Sequence, residues 1–172
     1  NRSSDLEIIT FVVESHNKSL EVCHFLQSLR QTPDAEIIVI DDGSSLSHTH
    51  RLAKALTGAN EYLYHANDLY ENITYNRSLH MATGQYVCLL QDDDDMPDAT
   101  WVKRAVTHFQ EHPRMVILGG CQGRDIAFCT KNGEKAYEAV DSMRGDFSFC
   151  MSVNRAPMWV RRDLFLEHLH HI

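Results

Sequence analysis

The chain has 172 residues, 43% of them hydrophobic, and a formal net charge of -8, a size that supports one domain with a sizeable core but not two full ones. The acidic balance argues against a nucleic-acid backbone or an anionic membrane as the main partner, since either calls for a basic surface. No apolar run reaches the roughly 18 residues that span a bilayer and no signal-peptide pattern stands at the start, so neither a transmembrane segment nor a cleaved leader is expected.

Leu6 to Val13 reads as a first strand, apolar almost throughout as a strand buried on both faces should be, and polar Glu14-Ser15-His16-Asn17-Lys18-Ser19 follows it. Val22, Phe25, Leu26 and Leu29 repeat at helical spacing, so a helix is expected from about Leu20 to Arg30, stopped by Pro33. A second strand, Glu36 to Ile40, runs into Asp41-Asp42-Gly43-Ser44, and the next helix carries Leu52, Ala55 and Leu56 before Gly58 closes it. A short strand near Glu61 to His65 leads to a helix with Tyr75, Ser78, Leu79 and Ala82 on one face, ended by Gly84. The strand Tyr86 to Leu90 then enters the acidic run, followed by a helical stripe of Val102, Ala105, Val106 and Phe109, a break at Pro113, and a strand from Met115 to Leu118. Beyond Gly119 the periodicity weakens, with turn signals at Gly123, Asn132-Gly133 and Gly145 in an irregular or antiparallel region, and a helix is expected from Asp163.

Strands alternating with helices define an α/β domain: a mainly parallel sheet with helices on both faces and an irregular C-terminal part. Its first half, about residues 1–98, is the expected binding half, and about 99–172 the partner-substrate half. Five widely scattered cysteines read as reduced thiols and favour a cytoplasmic setting, against which stand four N-x-S/T triplets at Asn1, Asn17, Asn72 and Asn76. The eleven histidines form no recognisable spaced metal motif and read as surface or packing residues.

In open parallel sheets ligands bind beyond the carboxyl ends of the strands. Three strands end in polar clusters there: Glu14 to Asn17, Asp41 to Ser44, and Gln91 to Asp95. Four consecutive aspartates, Asp92 to Asp95, are the most expensive of these. Two unit charges about 5 Å apart repel by roughly 0.8 kcal/mol at the dielectric of water and roughly 3 kcal/mol at an effective value near 20. One aspartate, Asp95 or Asp98, accounts for a helix start beside Pro97, but the remainder calls for a cation. Hard ions such as Mg2+ take one or two carboxylates and complete their shell with water and substrate phosphate. A nucleoside diphosphate fits such an edge, with Asp42 and His16 toward its base. Neither G-x-x-x-x-G-K-[ST] nor G-x-G-x-x-G occurs, and G-x-S-x-G is also absent.

The order of these motifs resembles the nucleotide-sugar glycosyltransferases of family 2, which have the GT-A fold. The resemblance covers about Leu6 to Leu118. It rests on Glu14-Ser15-His16-Asn17, on Ile37 to Ser44, and on Asn76 through Gly84-Gln85-Tyr86-Val87 leading into Leu90-Gln91-Asp92-Asp93-Asp94-Asp95-Met96-Pro97-Asp98. It implies a single Rossmann-like GT-A domain that transfers a sugar from a nucleoside diphosphate sugar, UDP-sugar first among the donors, to the hydroxyl of a saccharide or other acceptor, with inversion and with Mn2+ or Mg2+. By position it places Glu14, His16, Asp41, Asp42, Asn76, Arg77 and Asp92 against the nucleotide, Asp93 as leading metal ligand and Asp94 as alternate.

Three features depart from the family pattern. Gln91 stands where many members have the first aspartate of D-x-D, and Tyr75 where a basic residue often precedes the asparagine, with Arg77 as a substitute. The family's acidic general base falls beyond Ile172, so the chain is expected to be cut short at its C-terminal side. Asp141, Glu138 and Asp146 are carboxylates in the second half that no pattern elects as base, while Arg161 and Arg162 are candidates for the diphosphate or for a solvated helix start. Two other readings stand beside the enzyme: a nucleotide-sugar binding module without turnover, and a nucleotidyltransferase, which calls for a glycine-rich phosphate loop that Glu14 to Ser19 lacks.

Overall fold

The computed structural model describes residues 8–94, 100–119, 123–131, 133–141, 152–153, 157–169 and 172. Its main sheet has six strands in the order β3-β2-β1-β4-β9-β5. Strands β1 (Ile9–Ser15), β2 (Glu36–Asp42), β3 (Glu61–Ala66) and β4 (Tyr86–Gln91) are mutually parallel, while β9 (Met158–Arg161) runs antiparallel between β4 and β5 (Ile117–Gly119). The region after Gly119 is antiparallel: β6 (Gly123–Lys131) pairs with β7 (Glu134–Asp141) and with β8 (Ser152–Val153) in a separate three-stranded sheet. The β6–β7 connection turns at Gly133, whose φ of 81° suits glycine.

Alternation along the strands divides the core in two. Ile9, Phe11 and Val13 of β1 with Ile37 and Val39 of β2 and Tyr86, Cys88 and Leu90 of β4 face one side. There they meet Val22, Phe25, Leu26 and Leu29 of α1 (Ser19–Leu29), Leu52 of α2 (Leu46–Ala55), and Trp101, Ala105 and Phe109 of α4 (Trp101–Glu111). Val12, Ile38, Ile40, Val87 and Leu89 face the other side, against Tyr75 and Leu79 of α3 (Tyr70–Met81) and Phe165 of α5 (Arg162–His168). Every parallel strand but the edge strand β3 is therefore buried on both faces, which is why these segments lack the alternation of a half-solvated sheet.

Two differences from the sequence reading follow from pairing. β1 continues through Glu14 and Ser15, and β2 through Asp41 and Asp42, because ladders with neighbours on both sides extend that far: Glu14 lies opposite Ile40 and Gln91, and Ser15 opposite Asp41. The acidic pair thus ends a buried strand rather than opening a loop. The four-residue β9 was not expected, since Met158-Trp159-Val160-Arg161 is too short to show a period and owes its strand form to being zipped between β4 and β5. Among the described residues no helix is long and apolar enough to cross a membrane.

Candidate functional site

β1 pairs with β2 on one side and β4 on the other, so consecutive connections leave in opposite directions and a crevice opens at the carboxyl ends of β1 and β4. The loop after β1 is the hub of this edge. The His16 amide donates to Asp92 Oδ2 at 2.9 Å, joining it to the β4 loop. Its ring reaches the other way, with Nδ1 2.7 Å from the Asp42 carbonyl oxygen.

The tautomer of His16 follows from its neighbours. Asn17 Oδ1 accepts the Ser45 amide at 2.8 Å, which turns the Asn17 Nδ2 amide toward His16 Nε2 at 2.9 Å. Nε2 is then an acceptor, and the proton sits on Nδ1, where it donates to the Asp42 carbonyl. Asn17 completes the join by donating its own amide to Ser44 Oγ at 2.9 Å, from a left-handed φ of 57° that asparagine tolerates.

Asp41 and Asp42 are 2% and 5% exposed, and each carboxylate is engaged. Asp41 Oδ1 accepts the amide of Ser44, three residues on, at 3.2 Å across the turn at Gly43, and Oδ2 accepts the Thr49 hydroxyl at 2.5 Å with His65 Nδ1 at 3.5 Å. Burial pushes the Asp41 carboxyl up, but these hydrogen bonds and the His65 ring outweigh it and hold it below the ordinary aspartate value. Asp42 accepts the Leu69 amide at 2.9 Å and the Tyr70 amide at 2.8 Å, so it caps the start of α3 across the chain. Those two bonds hold Tyr70 at φ 61°, a conformation that a bulky residue adopts only when it is held there. Tyr70 itself is 68% exposed beside the crevice.

In the acidic run, Asp92 and Asp93 share one cation. The Lys18 ammonium lies 3.3 Å from Asp92 Oδ1 and 3.1 Å from Asp93 Oδ2. The bond to Asp93 and the charge of Asp92 raise the Lys18 pKa above its ordinary value. The Asp92 side chain is 12% exposed and that of Asp93 is 64% exposed, so Asp93 is the more open of the two. Asp94 turns back, accepting the Gln91 amide on Oδ2 at 2.8 Å. Gln91 spends its own side chain on α3, donating to Glu71 Oε1 at 2.6 Å. Asp95 and Asp98, the expected helix-start residues, lie outside the described residues.

The remaining candidates are placed less centrally. Glu14 is half-buried near the end of β1 between β2 and β4. Asn76 lies further along α3, where its amide exchanges two hydrogen bonds with the backbone of Ile172, at 2.7 and 3.1 Å, and Arg77 is exposed on the same helix. Arg161 and Arg162 belong to the opposite edge of the sheet, since Arg161 pairs with Tyr86 at the start of β4. Arg161 donates to the Met115 carbonyl at 3.1 Å and to that of Phe109, over the faces of Tyr86 and Phe109. Arg162 donates to the Leu79 carbonyl at 2.9 Å. Neither solvated nor near the crevice, Arg161 is a helix-end and core residue. Glu138 and Asp141 fall in β7, and Asp146 lies outside the described residues.

Sequence reasoning passed over Lys18. Its signal was present, a single cation directly after His16-Asn17, but only the fold brings it to carboxylates more than seventy residues away. The pairing also tests the site for a cation: two carboxylates already arranged around one positive charge have the donor chemistry a hard dication needs.

A family model described as glycosyl transferase family 2 matches residues 10–151. No curated protein matches the chain in sequence. Among solved structures it is similar to a mannosyltransferase from Pyrobaculum calidifontis in complex with GDP-Man and Mn2+, at 16% identity and a TM-score of 0.59, over 66% of this chain and 35% of that one. It is also similar to glucosyl-3-phosphoglycerate synthase from Mycobacterium tuberculosis in complex with Mn2+, UDP and phosphoglyceric acid, at 17% identity and 0.55, over 66% and 43%. CMP:2-keto-3-deoxy-manno-octonic acid synthetase complexed with CTP matches at 12% identity and 0.57, over 93% and 76%. The chain thus spans between about a third and a half of the two transferase structures. At these identities the likeness establishes the fold, a GT-A type α/β domain.

Proposed function

This chain belongs to glycosyl transferase family 2, and from that premise we propose that it carries the donor site of an enzyme that moves a sugar from a nucleoside diphosphate sugar to an acceptor hydroxyl. The observation that carries the reading is the convergence of the β1, β2 and β4 loops at one edge, with His16 bonded to both Asp42 and Asp92.

His16 presents an exposed imidazole beside Asp42 for the base, and Asp92 lies one residue from Asp93, within reach of a ribose. Asp42 retains lone pairs beyond the two amides it accepts, enough to take a base N–H. Asp93 would hold Mn2+ or Mg2+, with Asp94 the alternate, and the bound ion supplies positive charge for the departing diphosphate. Lys18 is placed to follow that diphosphate once a dication takes its carboxylates. Inversion at the anomeric carbon and a UDP-linked donor are the family's implication, and the GDP-Man and UDP complexes of similar structures support a nucleoside diphosphate in general.

A nucleotidyltransferase is favoured by one observation, the likeness to a CTP-bound synthetase. Against it, the β1 loop from Glu14 to Ser19 contains no glycine and Asn17 fills its turn, so no glycine-rich cradle for a triphosphate stands there.

A thermal-shift panel of nucleoside diphosphate sugars and nucleoside triphosphates, with and without Mn2+, tests the reading. A rise in Tm with a diphosphate sugar that requires Mn2+ is the expected result, UDP-sugars first. Stabilisation by triphosphates alone would favour the nucleotidyltransferase. Donor binding without release of nucleoside diphosphate across an acceptor panel would leave a binding module.

A further inference from the structure

Helix α4 ends in His108-Phe109-Gln110-Glu111, and His112 is the residue that follows as its C-cap. Residues three and four apart share a helical face, so the two imidazoles and the carboxylate stand one above the other on the last turn. The backbone there is held in register, with the His112 amide on the His108 carbonyl at 3.0 Å and the Met115 amide on the His112 carbonyl at 2.9 Å. One donor atom from each of His108, Glu111 and His112 lies within 4.8 Å of the other two. Both histidines are half-buried, whereas Glu111 is exposed.

We propose that this turn is a second metal site, separate from the acidic run, for a borderline-soft dication of the Zn2+ type. Tetrahedral zinc with bonds of about 2.0 to 2.1 Å holds its ligand atoms about 3.4 Å apart. With every pair within 4.8 Å, no pair has more than about 1.4 Å to close, a movement that side-chain rotation within one turn supplies. Two neutral imidazoles and one carboxylate are the donor set zinc prefers, and a poor set for Mg2+, which takes oxygen. Water completes the shell from the open groove lined by Glu111, His112, Pro113, Arg114, Met115 and Val116.

Arg161 donates to the Phe109 and His112 carbonyls, so the side chains rather than the helix-end oxygens provide the ligands. An eleven-residue helix is about 16 Å long, and α4 runs away from the acidic run, which keeps the two sites apart. The ion clamps the same turn that Arg161 ties to β9. The spacing H-x-x-E-H, not singled out in the sequence, becomes legible as one helical face once the segment is known to stay helical to Glu111.

Isothermal titration of the metal-free chain with Zn2+ alone decides the matter, using H112Q, E111Q and H168Q/H170Q/H171Q variants. The expected result is one saturable zinc event that is retained in the triple variant and in D93N. It weakens about tenfold or more in H112Q and in the exposed E111Q, while circular dichroism shows both folded. Imidazole NMR shifts of His108 and His112 on zinc addition support the same site. Zinc binding that is absent, or that survives both H112Q and E111Q, or that disappears only in the triple variant, overturns the proposal.

Discussion

The Lys18 ammonium sits 3.1 Å from the carboxylate of Asp93, the aspartate most open to solvent of the three described in the run, and so holds the position a metal ion would contest. Removing that charge in Lys18→Met is expected to tighten binding of Mn2+ alone by roughly three- to tenfold at low salt, the scale of one unit charge removed at contact distance in a partly screened site. Calorimetry or electron paramagnetic titration at two salt concentrations measures it. An unchanged Kd at low salt would show that the ammonium does not compete with the ion.

Asp93→Asn is expected to abolish the metal-dependent part of donor binding while leaving the fold intact, because its side chain is exposed and bonded only to Lys18 among the described contacts. Donor titration with and without Mn2+ is the measurement. Retained affinity with the same metal requirement would move the ligand role to a neighbouring aspartate.

Asp42→Asn acts on two levels. An amide in place of the carboxylate turns an N–H2 group toward the Leu69 or Tyr70 amide, so one of two capping bonds becomes a donor-donor clash. About 1 to 2 kcal/mol of stability should be lost, read from urea denaturation. Nucleotide affinity should fall with it while affinity for Mn2+ alone stays near the wild-type value, which separates this residue from Asp93.

Glu61 is held at a pKa of about 2 by paired bonds from Arg30 at 2.6 and 2.7 Å, against the desolvation that raises it, with the Thr57 and Gly58 amides adding to the lowering. A depressed carboxyl contributes stability that is complete above its unfolded value near 4.5 and is lost as pH falls through about 2. The contribution has a ceiling of about 3 kcal/mol, and screening at the partly exposed Arg30 brings the expectation to about 1 to 2 kcal/mol. The stability gap between wild type and Glu61→Gln should therefore narrow between pH 6 and about pH 3. A gap that is independent of pH would show that the ion pair is not its source.

Gly84 closes a buried knot at the other end of the strands. A methyl group there would meet Thr10 Oγ1 at 2.6 Å, the Thr10 nitrogen at 2.7 Å and the Ile8 carbonyl at 2.9 Å. The Thr10 hydroxyl in turn accepts the Gly84 amide at 2.9 Å and donates to Glu36 at 2.6 Å. Backbone atoms cannot rotate aside, so Gly84→Ala is expected to cost about 1 to 3 kcal/mol or more, visible as a lowered Tm. A neutral outcome would mean that the β1 and β4 ends are free to part.

The sequence by itself determined the parallel strands, the inward faces of α1, α3 and α4, and the three polar clusters at the strand ends, because burial period and turn chemistry are properties of neighbouring residues. Val22, Phe25, Leu26 and Leu29 are all buried as their spacing requires. Gly84 also reads from the sequence as the stop of α3, but the helix ends three residues earlier at Met81, and Gly84 instead sits against backbone that no local pattern reveals. Only the tertiary structure decided that Asp42 caps a helix start twenty-seven residues away, that Lys18 settles on Asp92 and Asp93, that Gln91 serves α3, and that Arg161 works at the opposite edge of the sheet. Each of those is a charged or polar group choosing among distant partners. That choice depends on strand order and on which polar groups are left unsatisfied when the chain closes, and no local pattern carries either.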